Sequence, residues 1–280
     1  MKNETAIITG STSGIGKKMA EIFLKEGCKV AICSRSEEHV NTTLSEFKPE
    51  FGDSIIGVPC DVSNPEDLKN LVEKTIAAFG SIRILVANAG LEKNYGPFEY
   101  MPPEMVYEYA NEILGVNLIG MMNAVAAVLP QMKKQRYGRI ITLSGGGAER
   151  PLPNMTIYSA SKGGVVAFSK CFAEELKESN EHSNDIKINI FQPGMQKTGL
   201  TSHTDVVPGW INVETVRKQS ELALEYLGGN LTESCRKVLP FVLSSCNKNG
   251  KIFRGFKILK MILGGIKLKK EMKKIEQESS

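Results

Sequence analysis

Short apolar runs that alternate with helical patterns constrain the fold of this 280-residue chain more than any other feature. Six runs stand out, and a weaker one near the carboxyl terminus is a candidate for a seventh. They are Thr5–Thr9, Lys29–Ser34, Ser54–Cys60, Ile82–Gly90, Gly138–Ser144, Ile186–Gly194 and Gly250–Phe253. Runs that are apolar on both faces and separated by helices are typical of a parallel sheet covered on two sides. The sequence therefore predicts an α/β fold.

Local signals mark helices between these runs. Gly27 is placed to cap a helix over residues 17–26, and Asn64 followed by Pro65 is typical of a helix start. A long helix is predicted from Tyr158 to Glu178. A hydrophobic content of 41% can fill a core, and no internal repeat or convincing linker interrupts the chain. We expect a single domain over residues 1–255, followed by an extension over residues 256–280.

The cysteines favour a reduced, cytoplasmic protein. The six cysteines contain no C-x-x-C pair and form no metal-like cluster with the three histidines, so no metal site is expected. The first apolar run begins at Thr5, which leaves no room for a signal peptide. No apolar stretch is expected to reach the ~18–20 residues of a membrane span.

Charge is concentrated at the carboxyl-terminal end. Residues 251–280 hold nine basic and three acidic residues, whereas the first 250 residues hold 26 basic and 28 acidic residues. No nucleic-acid partner is expected for a body so close to neutral. In the basic, amphipathic tail, Gly264-Gly265 is predicted to break the helix. Packing of the tail on the body is the favoured interpretation, and weak contact with a membrane surface is the alternative.

A glycine-rich turn, TGSTSGIG, joins the first strand to the first helix. Gly10 permits a tight turn, Gly14 lets the backbone approach a pyrophosphate, and Gly16 allows the helix to pack closely on the strand. The helix start offers free N–H groups to phosphates. The sequence therefore predicts a dinucleotide site, and the residues expected to contact the dinucleotide here are Gly10, Ser11, Ser13, Gly14, Ile15 and Gly16.

The end of the second strand bears on which dinucleotide binds. An acid there would favour NAD(H), because it would accept hydrogen bonds from the adenosine ribose, whereas an arginine would suit a 2′-phosphate. The strand ends at Ser34 and continues into Arg35 with no acid. NADP(H) is favoured, and NAD(H) is the alternative, since Glu37 and Glu38 weaken the local positive charge.

Tyr158 and Lys162 are four residues apart, so they share one face of the predicted helix. A free tyrosine has a pKa of ~10, and a nearby cation lowers the pKa by favouring the phenolate. The pair therefore predicts proton transfer by Tyr158, as an acid in reduction or a base in oxidation.

With this pair and the glycine turn, the chain resembles the short-chain dehydrogenase/reductase family from about Lys2 to Thr198. The further matching positions are Asp61-Val62, Asn88-Ala89-Gly90, Asn117, Pro193-Gly194 and Thr198. The resemblance implies a Rossmann-type, doubly wound parallel sheet of about seven strands with helices on both faces. It implies that Asp61-Val62 contacts the adenine, that Asn88-Ala89-Gly90 lies along the cofactor, and that Pro193-Gly194 and Thr198 contact the nicotinamide end.

The resemblance also implies roles at the reacting end. Lys162 would hydrogen-bond the nicotinamide ribose, and Asn117 would hold a water that relays protons. The family's catalytic serine stands thirteen residues before the tyrosine, where this chain has Gly145, one residue after Ser144. A one-residue bulge over residues 145–153 would return Ser144 to that role, which is the favoured interpretation. Otherwise the hydroxyl is absent, and losing such a donor typically costs ~10²–10³ in rate.

The predicted function is hydride transfer between NADP(H) and a carbonyl or secondary-alcohol substrate. The alternatives are a catalytically weak dinucleotide-binding sensor or scaffold, and an epimerase or dehydratase of the same family. Substrate contacts are expected from residues 91–105 and 195–240. Four aromatic residues there could line a pocket or only pack the loops, namely Tyr95, Phe98, Tyr100 and Trp210. By analogy, the long helix from Tyr158 predicts a homodimer or homotetramer.

Overall fold

The strands form one parallel, seven-stranded sheet in the order β3-β2-β1-β4-β5-β6-β7. The computed structural model describes residues 1–93, 95–150, 152–180, 184–198, 206–211 and 213–278. The strands are β1 (Thr5–Ile8), β2 (Lys29–Ser34), β3 (Ile55–Pro59), β4 (Ile84–Ala87), β5 (Tyr137–Leu143), β6 (Asp185–Gln192) and β7 (Ile252–Arg254). All seven strands predicted from the sequence are therefore present, with shifts of a few residues at their ends.

Helices cover both faces of this sheet, as the alternating pattern predicts. Those in the described part of the chain are α1 (Gly14–Lys25), α2 (Glu37–Phe51), α3 (Pro65–Phe79), α4 (Pro103–Leu114), α5 (Met121–Gln135), α6 (Thr156–Asn180), α7 (Val213–Leu227), α8 (Leu231–Arg236), α9 (Leu239–Val242) and α10 (Ile258–Glu278). A π-helical segment, Gly115–Gly120, joins α4 to α5.

The helix boundaries follow the predicted signals. At the start of α3 the Asn64 side chain accepts a hydrogen bond from the Glu66 N–H at 3.1 Å, and Pro65 is the first helical residue. Helix α1 ends at Lys25, and Gly27 follows with a φ of +84°. The left-handed conformation of Gly27 turns the chain into β2.

Two layers of core side chains result from the alternation of residues along each strand. Ala6 and Ile8 of β1 face the layer that contains α1, α8 and α9, whereas Ile7 faces the layer that contains α3, α5 and α6. Strand β7 is held in the first layer by stacked rings, because Phe253 lies 5.0 Å from Phe191 and 3.6 Å from Phe241 between centroids.

The helix from Pro103 to Gln135 corrects one expectation from the sequence. It contains an 18-residue window with a mean hydropathy of 1.8, so an apolar stretch of spanning length is present. Its buried side chains, including Ala124, Val125 and Val128, belong to the core beneath the sheet. Packing against the sheet accounts for the apolar character of this face.

The prediction that Gly264-Gly265 breaks the tail is wrong, because α10 is continuous through both residues. A Cβ on Gly264 would lie 2.3 Å from the Tyr226 carbonyl oxygen of α7. The glycine therefore permits close approach of two helices instead of ending one, and the tail packs on the body through this contact.

The strand order places a binding crevice. Strand β1 lies between β2 and β4, so the direction of winding reverses there. In a doubly wound sheet, ligands bind outside the carboxyl ends of the strands at such a reversal. The glycine turn after β1 and the segment after β4 both lie at this point.

Candidate active site

The glycine turn is tied to the end of β4. The Asn88 side-chain amide donates to the carbonyl oxygens of Thr9 and Gly10 at 2.9 and 3.0 Å. The Thr9 hydroxyl accepts from the backbone N–H groups of Asn88 and Ala89, both at 3.0 Å. A Cβ on Gly16 would lie 2.3 Å from the Gly10 oxygen and 2.4 Å from Asn88 Nδ2. Only glycine at position 16 is compatible with this packing.

The start of α1 is suited to an anion. Its N-cap residue, Ser13, makes no side-chain capping bond, and the first turn contains no acidic residue. In contrast, α2 and α3 are capped by Ser36 and Asn64 and carry acidic residues in the first turn. The unpaired N–H groups and the positive end of the α1 dipole therefore fit a dinucleotide pyrophosphate.

An open cleft of about 310 Å³ runs along the carboxyl ends of the strands. Most of the residues predicted to bind the cofactor or to take part in catalysis line this cleft. The predicted residues that line it are Gly10, Ser13, Gly14, Ile15, Gly16, Arg35, Asp61, Val62, Asn88, Ala89, Gly90, Ser144, Tyr158, Lys162, Pro193 and Thr198. The structure thus places the predicted cofactor-binding residues and the predicted catalytic residues along one cleft.

Three predicted residues do not line the cleft. Ser11 is fully buried, where its hydroxyl donates to the Ile8 oxygen at 2.5 Å and accepts from the Cys33 N–H. Its side chain stabilises the turn and does not face a ligand. Gly194 packs against the Phe256 ring, and Asn117 is buried behind the cleft wall.

Several lining residues were not predicted from the sequence. They are Thr12, Ser34, His39, Cys60, Leu91, Val116 and Leu143. His39 follows Arg35 by four residues, so a search for basic side chains after β2 would have found it. Leu91, Val116 and Leu143 carry no such signal, because apolar residues are common throughout the chain.

The adenosine end of the cleft contains Arg35, His39 and Asp61. Arg35 is exposed and makes no ion pair with another described residue. Asp61 Oδ1 accepts hydrogen bonds from the backbone N–H and the hydroxyl of Ser63 at 2.8 and 2.7 Å. This region can therefore offer a cation and an acceptor to a bound nucleotide.

Tyr158 and Lys162 meet at the other end of the cleft. The Lys162 ammonium lies 5.6 Å from the centroid of the Tyr158 ring and donates to the Leu143 oxygen of β5 at 3.2 Å. A Cβ on Gly90 would be 3.5 Å from the same ammonium. The amine thus sits between the ends of β4 and β5, on the face of α6 that carries Tyr158.

The electrostatics of the pair differ from the prediction. Burial lowers the pKa of Lys162 to about 8. Burial also raises the pKa of Tyr158 above its usual value, and the Glu92 carboxylate raises it further. The expectation of a lowered pKa for Tyr158 is therefore wrong for the protein alone, because loss of water around the phenolate and the Glu92 charge both raise it.

Asn117 holds the loop that follows β4. Its Oδ1 accepts from the Leu91 N–H at 2.8 Å, and its Nδ2 donates to the Leu91 oxygen at 2.9 Å and to the Ser161 hydroxyl at 3.1 Å. This side chain links the π-helical segment to α6 and to the loop. It holds the backbone of the residue before Glu92, a side chain whose pKa burial raises to about 7.

The groups that Ser144 and Gly145 face show which of the two positions lies next to the Tyr158 hydroxyl. Ser144 Oγ donates to the Lys162 carbonyl oxygen at 3.4 Å, and no hydrogen bond joins it to Tyr158 among the described residues. A Cβ on Gly145 would instead lie 2.8 Å from the Tyr158 hydroxyl. In contrast to the bulge interpretation, Gly145 is the residue that faces the phenol, and it has no side chain.

The aromatic residues of the substrate segments pack with each other in the described part of the chain. The rings of Tyr95 and Trp210 lie 5.7 Å apart, while Phe98 and Tyr100 are about half exposed. None of the four lines the cleft of about 310 Å³. Of the two interpretations offered by the sequence, loop packing describes Tyr95 and Trp210.

A doubly wound sheet with a glycine cradle and a tyrosine–lysine pair in one crevice defines an NAD(P)-dependent oxidoreductase. Residues 4–206 match the family model described as short chain dehydrogenase, and the chain belongs to the short-chain dehydrogenase/reductase family.

Known proteins of this family resemble the chain over most of its length. Dehydrogenase/reductase SDR family member 4 of Sus scrofa is 30% identical over 245 residues, which are 87% of this chain and 82% of the pig protein. Chlorophyll(ide) b reductase NOL of Oryza sativa is 36% identical over 198 residues, which are 69% of this chain but only 56% of the rice protein.

The fold is shared with a solved relative. The 3-ketoacyl-(acyl-carrier-protein) reductase from Brucella melitensis, solved in complex with NADH, superposes with a TM-score of 0.74 at 25% identity. The superposition covers 90% of this chain and 96% of the Brucella chain.

Proposed function

We propose that the protein is an NADP(H)-dependent reductase that converts a carbonyl group to a secondary alcohol, with Tyr158 as the proton donor. The observation that carries this proposal is the meeting of Tyr158 and Lys162 in the cleft that begins at the glycine turn. A proton-transfer group and an anion-binding helix start open into the same groove, as carbonyl reduction by a dinucleotide requires.

The contacts of Tyr158, Lys162 and Asn117 support a separate role for each residue. When bound, the nicotinamide cofactor supplies the hydride. Tyr158 donates its hydroxyl proton to the oxygen of the reduced carbonyl, and Lys162, at the ends of β4 and β5, orients the ligand beside it. Asn117 keeps the Leu91 loop in place and so shapes the substrate side of Tyr158.

The protonation state of Tyr158 is compatible with the reductive direction. Burial and the Glu92 carboxylate raise its pKa, so the phenol keeps at neutral pH the proton that reduction requires. Alcohol oxidation would need the phenolate, which the same surroundings disfavour. Without a serine hydroxyl at position 145, Tyr158 polarises the carbonyl alone, which supports slow turnover.

The adenosine end supports NADP(H) over NAD(H). Arg35 and His39 line this end, and no acidic side chain is among the described residues that line it beside β2. Asp61 lies after β3 and is the acid expected at the adenine. A 2′-phosphate would gain a charge-assisted hydrogen bond from Arg35, whereas an unmodified ribose finds no carboxylate after β2.

The decisive experiment measures NADPH oxidation with a panel of ketones that includes a 3-ketoacyl thioester, for the wild type and for Tyr158→Phe. The variant removes only the phenolic oxygen, so kcat should fall by ~10²–10⁴-fold while NADPH still binds. Tyr107→Phe is the matched control, because Tyr107 is 73% exposed on α4 and away from the cleft.

Two results would contradict the proposal. Equal turnover by the wild type and Tyr158→Phe would show that Tyr158 does not donate the proton. Tight NADPH binding without turnover of any carbonyl would favour a sensor or scaffold, the class that Gly145 already makes a candidate.

We further propose a cytoplasmic homo-oligomer. Six free cysteines, five of them buried, suit a reducing compartment. The exposed apolar side chain of Ile119, between α4 and α5, supports contact with a second copy. Cell fractionation and sedimentation velocity test these two statements.

A further inference from the structure

Helix α10 has one face on the body and another that no described residue covers. The packed face is centred on Gly264, where a Cβ would meet the Tyr226 oxygen at 2.3 Å and the Leu227 side chain at 3.1 Å. Met261 and Leu268 lie on the same face and are half-buried. Packing against α7 therefore uses only one side of the helix.

The opposite face is apolar. Five of its side chains are about half exposed or more, namely Ile258 (52%), Leu259 (68%), Ile262 (48%), Leu263 (54%) and Ile266 (65%). Ile258, Ile262 and Ile266 repeat every four residues, so they form one stripe. Leu259 and Leu263 lie beside this stripe. An apolar stripe of this kind at the surface marks an interaction site.

The charge around the stripe is strongly positive. Residues 251–280 hold nine basic and three acidic residues. Lys269 and Lys270 are exposed and follow Ile266 by three and four residues, so they continue the same face toward the carboxyl end. Lys257 and Lys267 are exposed close by.

We propose that α10 docks the protein on an anionic lipid bilayer, with the Ile258–Ile266 stripe inserted at the headgroup boundary and the lysines on acidic headgroups. A helix with an apolar face and a basic polar face binds membranes in this orientation. Charge decides against a second copy of the helix as the occupant, because self-association would bring two strongly basic surfaces together. The body adds no attraction of its own, with 26 basic and 28 acidic residues before residue 251.

Co-sedimentation of the full chain with vesicles tests the proposal. One set of vesicles contains phosphatidylcholine alone, and the other contains equal parts of phosphatidylcholine and phosphatidylglycerol. The wild type should bind the anionic vesicles at least about tenfold more tightly, and added salt should weaken the binding. NADPH binding and the melting temperature of each variant report folding separately.

Two double variants separate the two parts of the surface. Ile262→Ser with Ile266→Ser removes apolar contact, and Lys269→Glu with Lys270→Glu reverses charge; each should weaken binding at least about tenfold. Lys133→Glu with Lys134→Glu is the matched control, because both lysines are exposed at the end of α5, and it should bind like the wild type.

Three outcomes would overturn the proposal. One is the absence of vesicle binding together with a dimer that the isoleucine variant converts to monomer, which would assign the stripe to a second copy. Another is equal binding to both kinds of vesicle. The third is full binding by the folded isoleucine variant, which would leave charge adsorption without insertion.

Discussion

Gly145 occupies the place where a side chain would meet the reacting phenol. A Cβ at this position would lie 2.8 Å from the Tyr158 hydroxyl, so the end of the tyrosine side chain must shift to admit it. Ser144 points elsewhere, toward the Lys162 carbonyl oxygen. Substitutions at Gly145 and at Ser144 are therefore expected to have opposite effects on kcat.

Gly145→Ser should raise kcat for carbonyl reduction by at least about tenfold, since it adds a donor of a kind whose removal typically costs ~10²–10³. Gly145→Ala is the control that adds the same Cβ without a hydroxyl. Ser144→Ala should lower kcat less than about tenfold. A loss of ~10²-fold in Ser144→Ala would show that the bulge interpretation describes the enzyme at work.

Burial raises the pKa of Tyr158, and the Glu92 carboxylate raises it further. The pKa of Glu92 itself is raised to about 7 by burial, so this side chain is charged above that pH and opposes formation of the phenolate. Glu92→Gln removes the charge and lowers the pKa of Tyr158. In alcohol oxidation, which needs the phenolate, kcat/KM rises with pH as Tyr158 loses its proton, and this rising limb of the profile should move to lower pH. Glu92→Asp keeps the charge and is the control; an unmoved limb in Glu92→Gln would separate Glu92 from the tyrosine.

At the residue scale, the sequence predicted which residues belong to the site better than it predicted where their side chains point. Tyr158 and Lys162 could be paired from helical spacing alone, because residues four apart must share a face. The directions of the Ser11 and Ser144 side chains could not be predicted, since each makes a hydrogen bond with a distant backbone group, the Cys33 N–H and the Lys162 carbonyl oxygen respectively. The pKa of Tyr158 was predicted in the wrong direction because its burial depends on tertiary packing.

At the scale of elements, the close approach of α1 to β1 and β4 depends on Gly16. Gly16→Ala would place a Cβ 2.3 Å from the Gly10 oxygen, so the turn must move or the helix must shift. Overpacking of this kind typically costs about 1–3 kcal/mol. We expect a lower melting temperature and NADPH binding weakened by at least about tenfold, measured by thermal unfolding and fluorescence titration.

Gly265→Ala is the control for this variant. Position 265 is helical, and a Cβ there would meet no atom within 4 Å. It should leave NADPH binding unchanged and raise stability slightly, by about 0.5–1 kcal/mol. Normal NADPH affinity in Gly16→Ala would show that the turn tolerates displacement.

Elements that apolar runs or capping residues mark were predicted correctly. Features that depend on contacts with segments distant in sequence were missed or predicted wrongly. All seven strands, the end of α1 and the start of α3 followed from apolar runs and capping residues. The continuity of α10 did not, because it depends on the contact of Gly264 with α7, which lies far away in sequence. The helical stretch from Pro103 to Gln135, which is long and apolar enough to span a membrane, was also missed. Gly115 and Gly120 interrupt its apolar pattern in the sequence, but they do not interrupt the helical structure.

At the scale of the whole molecule, charge is separated between a nearly neutral body and a basic tail. The body therefore exerts little long-range attraction on either dinucleotide, and the choice between NADP(H) and NAD(H) depends on local contacts such as Arg35. A single charge reversal at the adenosine end should then be enough to change the preference.

Arg35→Glu should weaken NADPH binding by ~10–100-fold, which corresponds to loss of one charge-assisted hydrogen bond, while NADH binding stays equal or improves. Isothermal titration with each cofactor gives the ratio. Lys74→Glu, at an exposed position of α3, is the control for the change in net charge. A ratio that Arg35→Glu leaves unchanged would place the selectivity on other residues.

Strand β7 reaches the sheet from far along the chain, since β6 ends at Gln192 and β7 begins at Ile252. During synthesis, β6 therefore emerges from the ribosome with its outer edge open, and it stays open until Ile252–Arg254 have been made. An open parallel edge is a template for pairing with other chains. Messenger truncated before this strand would thus yield a polypeptide that carries a complete glycine turn but is prone to aggregate.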